Sequence, residues 1–545
     1  MDQVKPSPAN SIPLTPLSFL ERAATVYGDG ASLVYKSTTF TWSETHLRCL
    51  RLASSIASLG IQRGHIVSVL APNIPAMYEL HFSAPMVGAV LNAINVRLDS
   101  RTVSVLLAHS ESKLMFVDSQ FKALVADALS RFPPGLPRPI LVLIADDEYP
   151  AEIGGEFAGT YEGLVENGNP NYDWVRPETE YDPIVLNYTS GTTSAPKGAV
   201  HSHRGIFITT MDSLVEWSVP KKAVYLWTLP MFHSNGWCFP WGTAAVGATN
   251  ICLRKVDAAA IYSAIHQHNV THMCAAPVVL NMLSHHDVGK PLARPVHIMT
   301  GGAPPPAAVL LRMESLGFVV THVYGLTETA GVFVSCSWKE KWDELSAMER
   351  ARLKARQGVK TLGMVDVDVV CSETGAPVKR DGETLGEIVL RGCSIFLGYF
   401  KDPKGTAKSL RNGWFYTGDV GVIHPDGYLE IKDRSKDVII SGGVNICSVE
   451  VESVLYAHPA VNEAAVVARP DEFWGETPCA FVTMNLHVKE KVKEGEITEH
   501  CRANLPRYMI PKTVVFMEEL PKTSTGKIRK FVLRNMAKTM GRSNL

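Results

Sequence analysis

The 545-residue sequence predicts an α/β fold of layered sheets and helices, divided into at least two domains. In the first third, short apolar runs (Ile66–Leu70, Leu114–Val117 and Ile140–Ile144) alternate with helix-like patterns such as Ser43–Leu59. This alternation is typical of layered sheets and helices. A single core stops growing at about 250–300 residues, so we expect at least two domains. After Gly386 the runs EIVLRG, GYLEIKDR and DVIISGG follow closely, with glycines between them, which predicts β-rich structure joining the domains.

Composition excludes several classes of protein. The 53 Lys and Arg residues balance 54 Asp and Glu residues, so no strong net field favours nucleic acid or an anionic membrane surface. The ten cysteines are scattered singly without a C-x-x-C pair, which predicts a reducing compartment and no structural zinc. The N-terminus lacks the basic start and apolar run of a signal peptide. The most apolar stretch, 82–96, is too short to span a membrane, so we expect no transmembrane segment.

A candidate phosphate-binding loop follows the apolar run 183–186 and reads YTSGTTSAPKG, from Tyr188 to Gly198. Hydroxyls, glycines and a lysine after a strand supply the donors and the cation that a triphosphate needs. The string does not match the P-loop pattern G-x-x-x-x-G-K-[ST], because Pro196 replaces its second glycine and Gly198 its Ser or Thr. A P-loop NTPase is therefore disfavoured.

This loop resembles that of the acyl-adenylate-forming superfamily, which includes acyl-CoA synthetases, coumarate-CoA ligases, luciferases and peptide-synthetase adenylation domains. Six further strings similar to the family's motifs follow in the family's order. They are LPMFHSNGW (229–237), GGAP (301–304), YGLTET (324–329), WFYTGDVG (414–421), DRSKDVIISGG (433–443) and PKTSTGKIRK (521–530). The chain as a whole is most similar to the plant acyl-activating enzymes of the butyrate-, benzoate- and cinnamate-CoA ligase group. The resemblance implies ATP and coenzyme A as co-substrates and Mg²⁺ as the metal.

The resemblance also implies roles for individual residues around the nucleotide. Glu328 is the candidate Mg²⁺ ligand, Thr327 a phosphate donor and Tyr324 a stacking partner for adenine. Asp419 would accept hydrogen bonds from both ribose hydroxyls, with Arg434 as a second contact, since a vicinal diol matches two carboxylate oxygens. The remaining candidates for nucleotide contacts are Thr189, Ser190, Gly191, Thr192, Thr193, Lys197, Gly301, Gly302, Ala303, Pro304 and Gly325.

Lys527 is similar in position to the family's catalytic lysine, which bridges the substrate carboxylate and the α-phosphate. By the same resemblance, the chain has the adenylate-forming enzyme fold: residues 1–432 form a large multi-layer α/β N-terminal domain, 433–436 the hinge that includes Lys436, and 437–545 a small, mobile α/β C-terminal domain. Rotation about this hinge would let Ser441, Gly442 and Gly443 line the path of coenzyme A. Coumarate ligases and luciferases typically carry lysines (K-Y-K-G) in this stretch, and this chain has none there.

The acid should bind behind His233, a gate between the nucleotide and acyl sites, with Asn235 and Trp237 beside it. Phe239 and Trp241 are also expected beside the acid, although core packing is an equally weighted interpretation of these aromatics, Trp237 included. Val323 stands where coumarate ligases commonly have Gly. Together with Trp237 it should shorten the cavity. The sequence therefore favours short- or medium-chain fatty acids, or a compact benzoate- or cinnamate-like acid, without choosing among them.

Three alternatives remain open: an adenylation enzyme that loads a separate carrier protein, an inactive scaffold, and a luciferase-like oxidase. The last three residues, Ser543, Asn544 and Leu545, are close to the S-K-L type of peroxisomal address, with Asn544 in the usual basic place. We therefore expect an import receptor as a partner and a peroxisomal location, with the cytoplasm as the alternative.

Overall fold

The structure is a computed structural model that describes residues 5–150, 156–189, 196–286, 289–485, 492–523 and 526–540. Its helices are α1 Ser18–Tyr27, α2 Trp42–Ser58, α3 Pro75–Ser83, α4 Ser100–Ser110, α5 Lys122–Ser130, α6 Tyr161–Asn167, α7 His203–Glu216, α8 Ser234–Trp237, α9 Phe239–Val246, α10 Ala258–His268, α11 Pro277–Ser284, α12 Ala307–Ser315, α13 Ala347–Lys354, α14 Pro403–Ser409, α15 Ser448–Ala457, α16 Glu494–Asn504 and α17 Lys530–Thr539.

Its strands are β1 Ala31–Tyr35, β2 Thr38–Thr41, β3 Ile66–Leu70, β4 Val90–Ala93, β5 Leu114–Asp118, β6 Ile140–Ile144, β7 Phe157–Thr160, β8 Pro183–Tyr188, β9 Gly198–Ser202, β10 Val224–Trp227, β11 Thr249–Cys252, β12 His272–Ala275, β13 Val296–Thr300, β14 Phe318–Tyr324, β15 Val334–Ser335, β16 Val359–Lys360, β17 Met364–Val370, β18 Gly386–Gly392, β19 Gly398–Tyr399, β20 Leu410–Arg411, β21 Trp414–Ile423, β22 Leu429–Arg434, β23 Ile439–Ser441, β24 Val444–Ile446, β25 Val461–Asp471, β26 Gly475–Met484 and β27 Thr513–Phe516.

Two large sheets dominate the N-terminal part. One has the order β19-β9-β8-β4-β3-β5-β6-β7, and the other β16-β15-β14-β13-β12-β10-β11-β1-β2. Both are mainly parallel, as expected where helices cross between successive strands. A third, antiparallel sheet (β17-β18-β21-β20, with β22 on β21) leads to the small domain. The last sheet runs β24-β23-β26-β25, with β27 on β26.

The predicted apolar runs are strands of the first sheet. Ile66–Leu70 and Ile140–Ile144 match β3 and β6, and the run before the phosphate loop lies within β8. The predicted helix also forms, as α2, and its N-cap is Thr41. Thr41 accepts from the Glu44 amide while Glu44 bonds back to the Thr41 amide, a capping box that the apolar periodicity alone did not reveal.

The charged segment around residues 337–357 divides into a 3-10 turn at Glu340–Glu344 and the helix α13. Trp342 is buried within it, so this segment packs on the protein surface through an aromatic anchor.

The largest core cluster lies between the two large sheets and includes Trp42, Tyr78, Phe116 and Trp227, all fully buried. The small domain has its own clusters, formed only by residues beyond 438. Separate cores satisfy the expectation that a chain of this length forms more than one hydrophobic unit. Among the described helices, none is long and apolar enough to cross a bilayer.

One buried charge anchors the helices of the main core. The Glu79 carboxylate, on α3, is fully buried and accepts from the Arg48 guanidinium at 2.7 Å and from the Tyr161 hydroxyl at 2.5 Å. Arg48 also pairs with Glu162, which is 54% exposed. Burial raises the pKa of Glu79, and Arg48 opposes that effect. The network therefore joins α2, α3 and α6 through one desolvated carboxylate.

We expect Glu79→Ala to lower the free energy of unfolding by about 3–5 kcal/mol, because it leaves Arg48 without its buried partner. Glu162→Ala removes the exposed partner of the same arginine and should cost less than about 1 kcal/mol. Urea unfolding followed by tryptophan fluorescence compares the two. Equal losses in the two variants would show that the burial of Glu79 does not determine how much the network contributes to the free energy of unfolding.

Candidate active site

The site is built where the third sheet meets the end of β14. Asp419 on β21 lies opposite Arg434 on β22, and this register brings the Arg434 Nε to 2.7 Å from Asp419 Oδ1. The Tyr324 hydroxyl, at the end of β14, donates to Asp419 Oδ2 at 2.7 Å. Asp419 is 2% exposed and Arg434 is about half-exposed. Sequence reasoning placed these three residues at one site, and the structure brings them together.

The Asp419 carboxylate keeps capacity for further donors. A carboxylate has about four lone-pair positions, and Tyr324 and Arg434 occupy one on each oxygen. The remaining positions fit the proposed pair of ribose hydroxyls. Burial, followed by the charge of Asp419, raises the pKa of Tyr324, so its hydroxyl stays protonated and donates.

The YGLTET segment turns sharply next to this carboxylate. A Cβ at Gly325 would lie 1.6 Å from the Gly331 carbonyl oxygen, so the turn requires glycine. The Thr327 carbonyl contacts His201 Nε2 at 2.7 Å, which connects the turn to β9. Glu328 follows and accepts from the Tyr399 hydroxyl through Oε1 at 2.6 Å.

Tyr399 is a site residue that the sequence motifs did not reveal. Besides its bond to Glu328, its ring lies 5.0 Å below the Lys197 ammonium, a cation–π distance. One tyrosine thereby contacts both the phosphate-loop lysine and the candidate metal ligand. Tyr399 stands in the string GYF after β18, but nothing in the sequence connects this string with Glu328, which lies 71 positions earlier.

Glu328 fits a Mg²⁺ that is bound mainly by substrate. Mg²⁺ typically takes one or two carboxylates and completes its octahedron with phosphates and water. The described residues contain no cluster of three or more His, Cys, Asp or Glu side chains able to hold a metal alone. A single carboxylate, oriented by Tyr399 through one oxygen, matches that mode of binding.

The phosphate loop is described at its two ends. The Thr189 amide donates to the Lys197 carbonyl at 2.9 Å, so β8 and β9 close the loop as a hairpin. Ser190, Gly191, Thr192 and Thr193 lie outside the described residues.

Lys527 reaches this site from the small domain. A Cβ at Gly302, in the GGAP segment, would lie 3.1 Å from Lys527 Cε and 3.5 Å from its Nζ. A Cβ on the neighbouring Gly526 would lie 2.3 Å from Val278 Cγ1 on α11. The lysine loop therefore packs directly on the large domain: Gly526 has no room for a side chain, and Gly302, with φ of 87°, has a backbone conformation that favours glycine.

The charge of Lys527 is tuned by its surroundings. Desolvation, then the positive charge of Arg434, lowers its pKa to about 8, while Asp419 and Glu328 partly offset this effect. Desolvation, together with Lys527, also lowers the pKa of His233 to about 3. His233 is therefore neutral at physiological pH, and Lys527, not His233, carries the positive charge at this position.

Residues 234–238, which we call the left-handed turn, directly follow His233. Ser234, Asn235, Gly236, Trp237 and Cys238 all have φ between 43° and 67°. A left-handed helical conformation costs an L-residue roughly 1–2 kcal/mol, so the four non-glycine residues of this turn cost on the order of 4–8 kcal/mol together. Such strain persists only where surrounding contacts hold it, and it is concentrated at functional sites.

The left-handed turn carries Trp237 to the GGAP segment. A Cβ at Gly301 would lie 3.0 Å from Val323 Cγ2 and 3.4 Å from Trp237 Cη2. The two residues predicted to shorten the acyl cavity therefore meet at this glycine, and we call them the wall of the cavity. Both are buried. Phe239 and Trp241, by contrast, belong to the core: Phe239 stacks on Tyr225, and Trp241 is fully buried with its Nε1 on the His81 carbonyl.

The predicted coenzyme A residues lie elsewhere on the small domain. Ser441 ends β23, and Gly442 and Gly443 form the exposed turn to β24 with positive φ. Gly442 lies against Trp474 of the same domain. Lys436 follows β22, where desolvation and then Arg434 lower its pKa. Ala303 and Pro304, also predicted, continue the GGAP segment and are partly exposed.

Comparison with known families decides the identity. Residues 20–400 match the AMP-binding enzyme model, and residues 450–527 match the AMP-binding enzyme C-terminal domain. The chain belongs to the AMP-binding enzyme family. This AMP-binding enzyme has the expected adenylate-forming fold, with a large N-terminal and a small C-terminal domain, and the predicted class of fold is confirmed.

Relatives cover the whole chain. A 2-methylpropanoate–CoA ligase of Humulus lupulus is 66% identical over 99% of this chain and 98% of its own length. A probable peroxisomal acyl-activating enzyme of Arabidopsis thaliana is 64% identical, with both chains fully covered. An anthranilate CoA ligase in complex with anthranoyl-AMP superposes with a TM-score of 0.83 at 24% identity, covering 98% and 99% of the two chains. The predicted resemblance to plant acyl-activating enzymes, and the predicted class of AMP-forming acid–thiol ligase, are confirmed.

Asp419→Asn tests the nucleotide site. We expect AMP affinity to fall about 10–100-fold, because a hydrogen bond to a charged group contributes about 1.5–3 kcal/mol and Arg434 loses its carboxylate. Titration calorimetry with AMP measures the change. The control is Glu430→Gln on the same strand as Arg434, which breaks an ion pair with Lys432 and a bond to His424. Unchanged AMP affinity in Asp419→Asn would remove Asp419 from the ribose site.

Proposed function

We propose that this enzyme is a carboxylate–CoA ligase that forms acyl-AMP and pyrophosphate from an acid and ATP, then transfers the acyl group to coenzyme A and releases AMP. The observation that carries the proposal is the convergence of Lys527 from the small domain on Gly302. Arg434, Asp419 and Glu328 are close enough there to influence its pKa. These groups are suited to holding two anions together.

In the first step, a carboxylate oxygen of the acid attacks the α-phosphorus, and the bond from that phosphorus to the pyrophosphate oxygen breaks. Both reactants are anionic, so catalysis consists of positioning and of offsetting charge. Lys527 donates to the carboxylate and the α-phosphate, Asp419 orients the ribose, and Lys197 balances the departing phosphates. Glu328 would hold Mg²⁺, which would supply further charge neutralisation when bound. Neutral His233 adds no charge between the two reactants.

In the second step, the thiol sulfur of coenzyme A bonds to the acyl carbon. The bond between that carbon and the phosphate oxygen of AMP breaks, and AMP leaves. We assign the hairpin with Ser441, Gly442 and Gly443 to this step. Its exposed glycine turn offers space for a slender chain. Reaching the nucleotide site would require the small domain to rotate about residues 433–436, which we propose as the hinge between domains 1–432 and 437–545.

We propose that the acid substrate is compact. Trp237 and Val323 meet at Gly301, close to where Lys527 would hold the carboxylate, and leave little room for a long chain. The relative named as a 2-methylpropanoate–CoA ligase supports a short branched acid. Benzoate- and cinnamate-like acids belong to the same proposal.

The location is also a proposal. The Arabidopsis relative carries the word peroxisomal in its name, which supports a peroxisomal location for this chain. The proposed address, Ser543, Asn544 and Leu545, and the import receptor that would read it lie outside the described residues.

Lys527→Ala should abolish formation of acyl-AMP, with a loss on the order of 10²–10³ in rate, because one positioned charge donor is removed. The same variant should still convert supplied acyl-AMP and coenzyme A to thioester. Lys522→Ala is the matched control, since Lys522 lies in the same segment but pairs with Glu463 at 2.8 Å. Pyrophosphate release and mass detection of acyl-CoA separate the steps, and equal impairment of both steps in Lys527→Ala would contradict the assignment.

A panel of acids tests the activity and the size of the pocket together. We expect acid-dependent pyrophosphate release and acyl-CoA formation with 2-methylpropanoate, butanoate, hexanoate or benzoate, and little with palmitate, because the Trp237 wall excludes long chains. Acyl-AMP without acyl-CoA would favour the carrier-loading alternative. A preference for palmitate would overturn the account of the pocket while leaving the ligase assignment intact.

A further inference from the structure

A chain of hydrogen bonds lies buried behind the left-handed turn. Asn187 Nδ2 donates to Asn235 Oδ1 at 2.5 Å, and Asn235 Nδ2 lies 3.1 Å from His81 Nε2. His81 Nδ1 in turn lies 2.7 Å from the Met77 carbonyl oxygen. His81 and Asn235 are fully buried and Asn187 is 3% exposed. We call these three residues the amide–imidazole chain.

The direction of every bond follows from one fixed acceptor. The Met77 carbonyl can only accept, so His81 Nδ1 carries the proton and Nε2 presents a lone pair. Desolvation lowers the pKa of His81 to about 4, and the carbonyls of Met77 and Met231 only partly oppose this, so the ring is neutral. Asn235 Nδ2 then donates to Nε2, which leaves Oδ1 to accept from Asn187. The polarity is consistent along the whole chain.

The amide–imidazole chain connects three parts of the site. Asn187 lies on β8, two residues before Thr189 at the start of the phosphate loop. His81 lies on α3, which also supplies the buried Glu79. Asn235 is the second residue of the left-handed turn and stands two positions before Trp237. The position of the Trp237 wall is thereby tied to two rigid elements of the N-terminal core.

Because the left-handed turn is strained, its conformation depends on the contacts that hold it in place. Asn235 tolerates a left-handed conformation better than most residues, but Ser234, Trp237 and Cys238 do not share that tolerance. Cys238 Sγ is held by the Ala330 carbonyl at 3.0 Å, beyond Trp237. On the His233 side of Trp237, the Asn235 side chain provides the hydrogen bonds to neighbouring elements. Without them, the turn can relax and move the indole.

We propose that Asn187, Asn235 and His81 are positioning residues whose hydrogen-bonded chain holds the Trp237 wall in place and so limits the length of the acid that the enzyme accepts. The inference rests on the proposed ligase function. It assigns the selectivity of the site to side chains behind the wall as well as to Trp237 and Val323.

A pair of glycine variants separates the hydrogen bonds from the backbone strain. Asn235→Gly and Ser234→Gly each relieve one left-handed residue, but only the first removes links of the amide–imidazole chain. Within the described residues, the Ser234 hydroxyl has no hydrogen-bond partner. The readout is kcat/KM for butanoate relative to octanoate, measured by pyrophosphate release, with a thermal melt to verify folding.

We expect Asn235→Gly to lower the butanoate-to-octanoate ratio by about 10-fold or more, since one methylene in an apolar pocket changes kcat/KM about 10–200-fold. The KM for butanoate should rise while the KM for ATP changes less than about 2-fold, because the nucleotide contacts are untouched. Ser234→Gly should keep the ratio within about 2-fold of the parent, since it relieves strain without removing a contact. Equal ratios in the two variants, whether both lowered or both unchanged, would overturn the proposal.

Variants of His81 test the chain from its other end. His81→Phe removes the acceptor and should reproduce the effect of Asn235→Gly, whereas His81→Gln can still accept through its amide oxygen and should retain a ratio nearer the parent. Because both changes break the bond between Asn235 and His81, the double variant Asn235→Gly with His81→Phe should lower the ratio no further than Asn235→Gly alone. Additive effects would contradict a shared mechanism.

Failure of the proposal for the amide–imidazole chain can be distinguished from failure of the ligase proposal. If Asn235→Gly does not fold, His81→Phe decides, and an unchanged ratio in that variant overturns the inference. If the parent enzyme shows no acid-dependent pyrophosphate release with any acid, the proposed function itself fails, irrespective of the ratios in the variants.

Discussion

The contact between two glycines and one lysine is the constraint on which the site depends. Gly526 packs on Val278 and Gly302 packs on Lys527, and a methyl group at either glycine would occupy space that the opposite domain already fills. Both glycines also have positive φ, 81° and 87°, so substitution there is strained as well as crowded. This close approach brings the lysine of the small domain near enough to Asp419 and Glu328 of the large domain, and to Arg434 of the proposed hinge, for their charges to affect its pKa.

A second set of contacts holds the two domains at the base of the same site. Asp433 is buried, and its carboxylate accepts from the Ser448 amide at 2.7 Å and from the Ser448 hydroxyl at 2.6 Å, at the start of α15. Lys530 donates to the same hydroxyl and pairs with Glu452 at 2.7 Å. An anionic side chain at a helix N-terminus is favourable, because it meets unpaired amides and the positive end of the helix dipole. The strand that carries Arg434 is thus bound to the small domain one residue away.

Tyr399 shows how the two halves of the nucleotide site are coordinated. Its hydroxyl orients Glu328 and its ring faces Lys197, so the candidate metal ligand and the loop lysine share one neighbour. Glu328 and Lys197 have opposite charges and would otherwise attract each other across the site. Tyr399 contacts both side chains, which on the proposed function leaves Lys197 available to a phosphate group and Glu328 to Mg²⁺.

Apolar periodicity, a local property of the sequence, predicted the α/β class and the strands β3, β5, β6 and β8 of the first sheet, and resemblance to a known family gave the site motifs in their order. Gly325 belongs to this set, since its neighbours in space, Thr329 and Gly331, come from the same short segment. Only the tertiary structure decided the left-handed turn, the role of Tyr399 and the chain from Asn187 to His81. The residues that bond in that chain are 48 and 154 positions apart, and Tyr399 is 71 positions from Glu328. Hydrogen bonds over such separations depend on how sheets and helices pack, and no local pattern in the sequence records that packing.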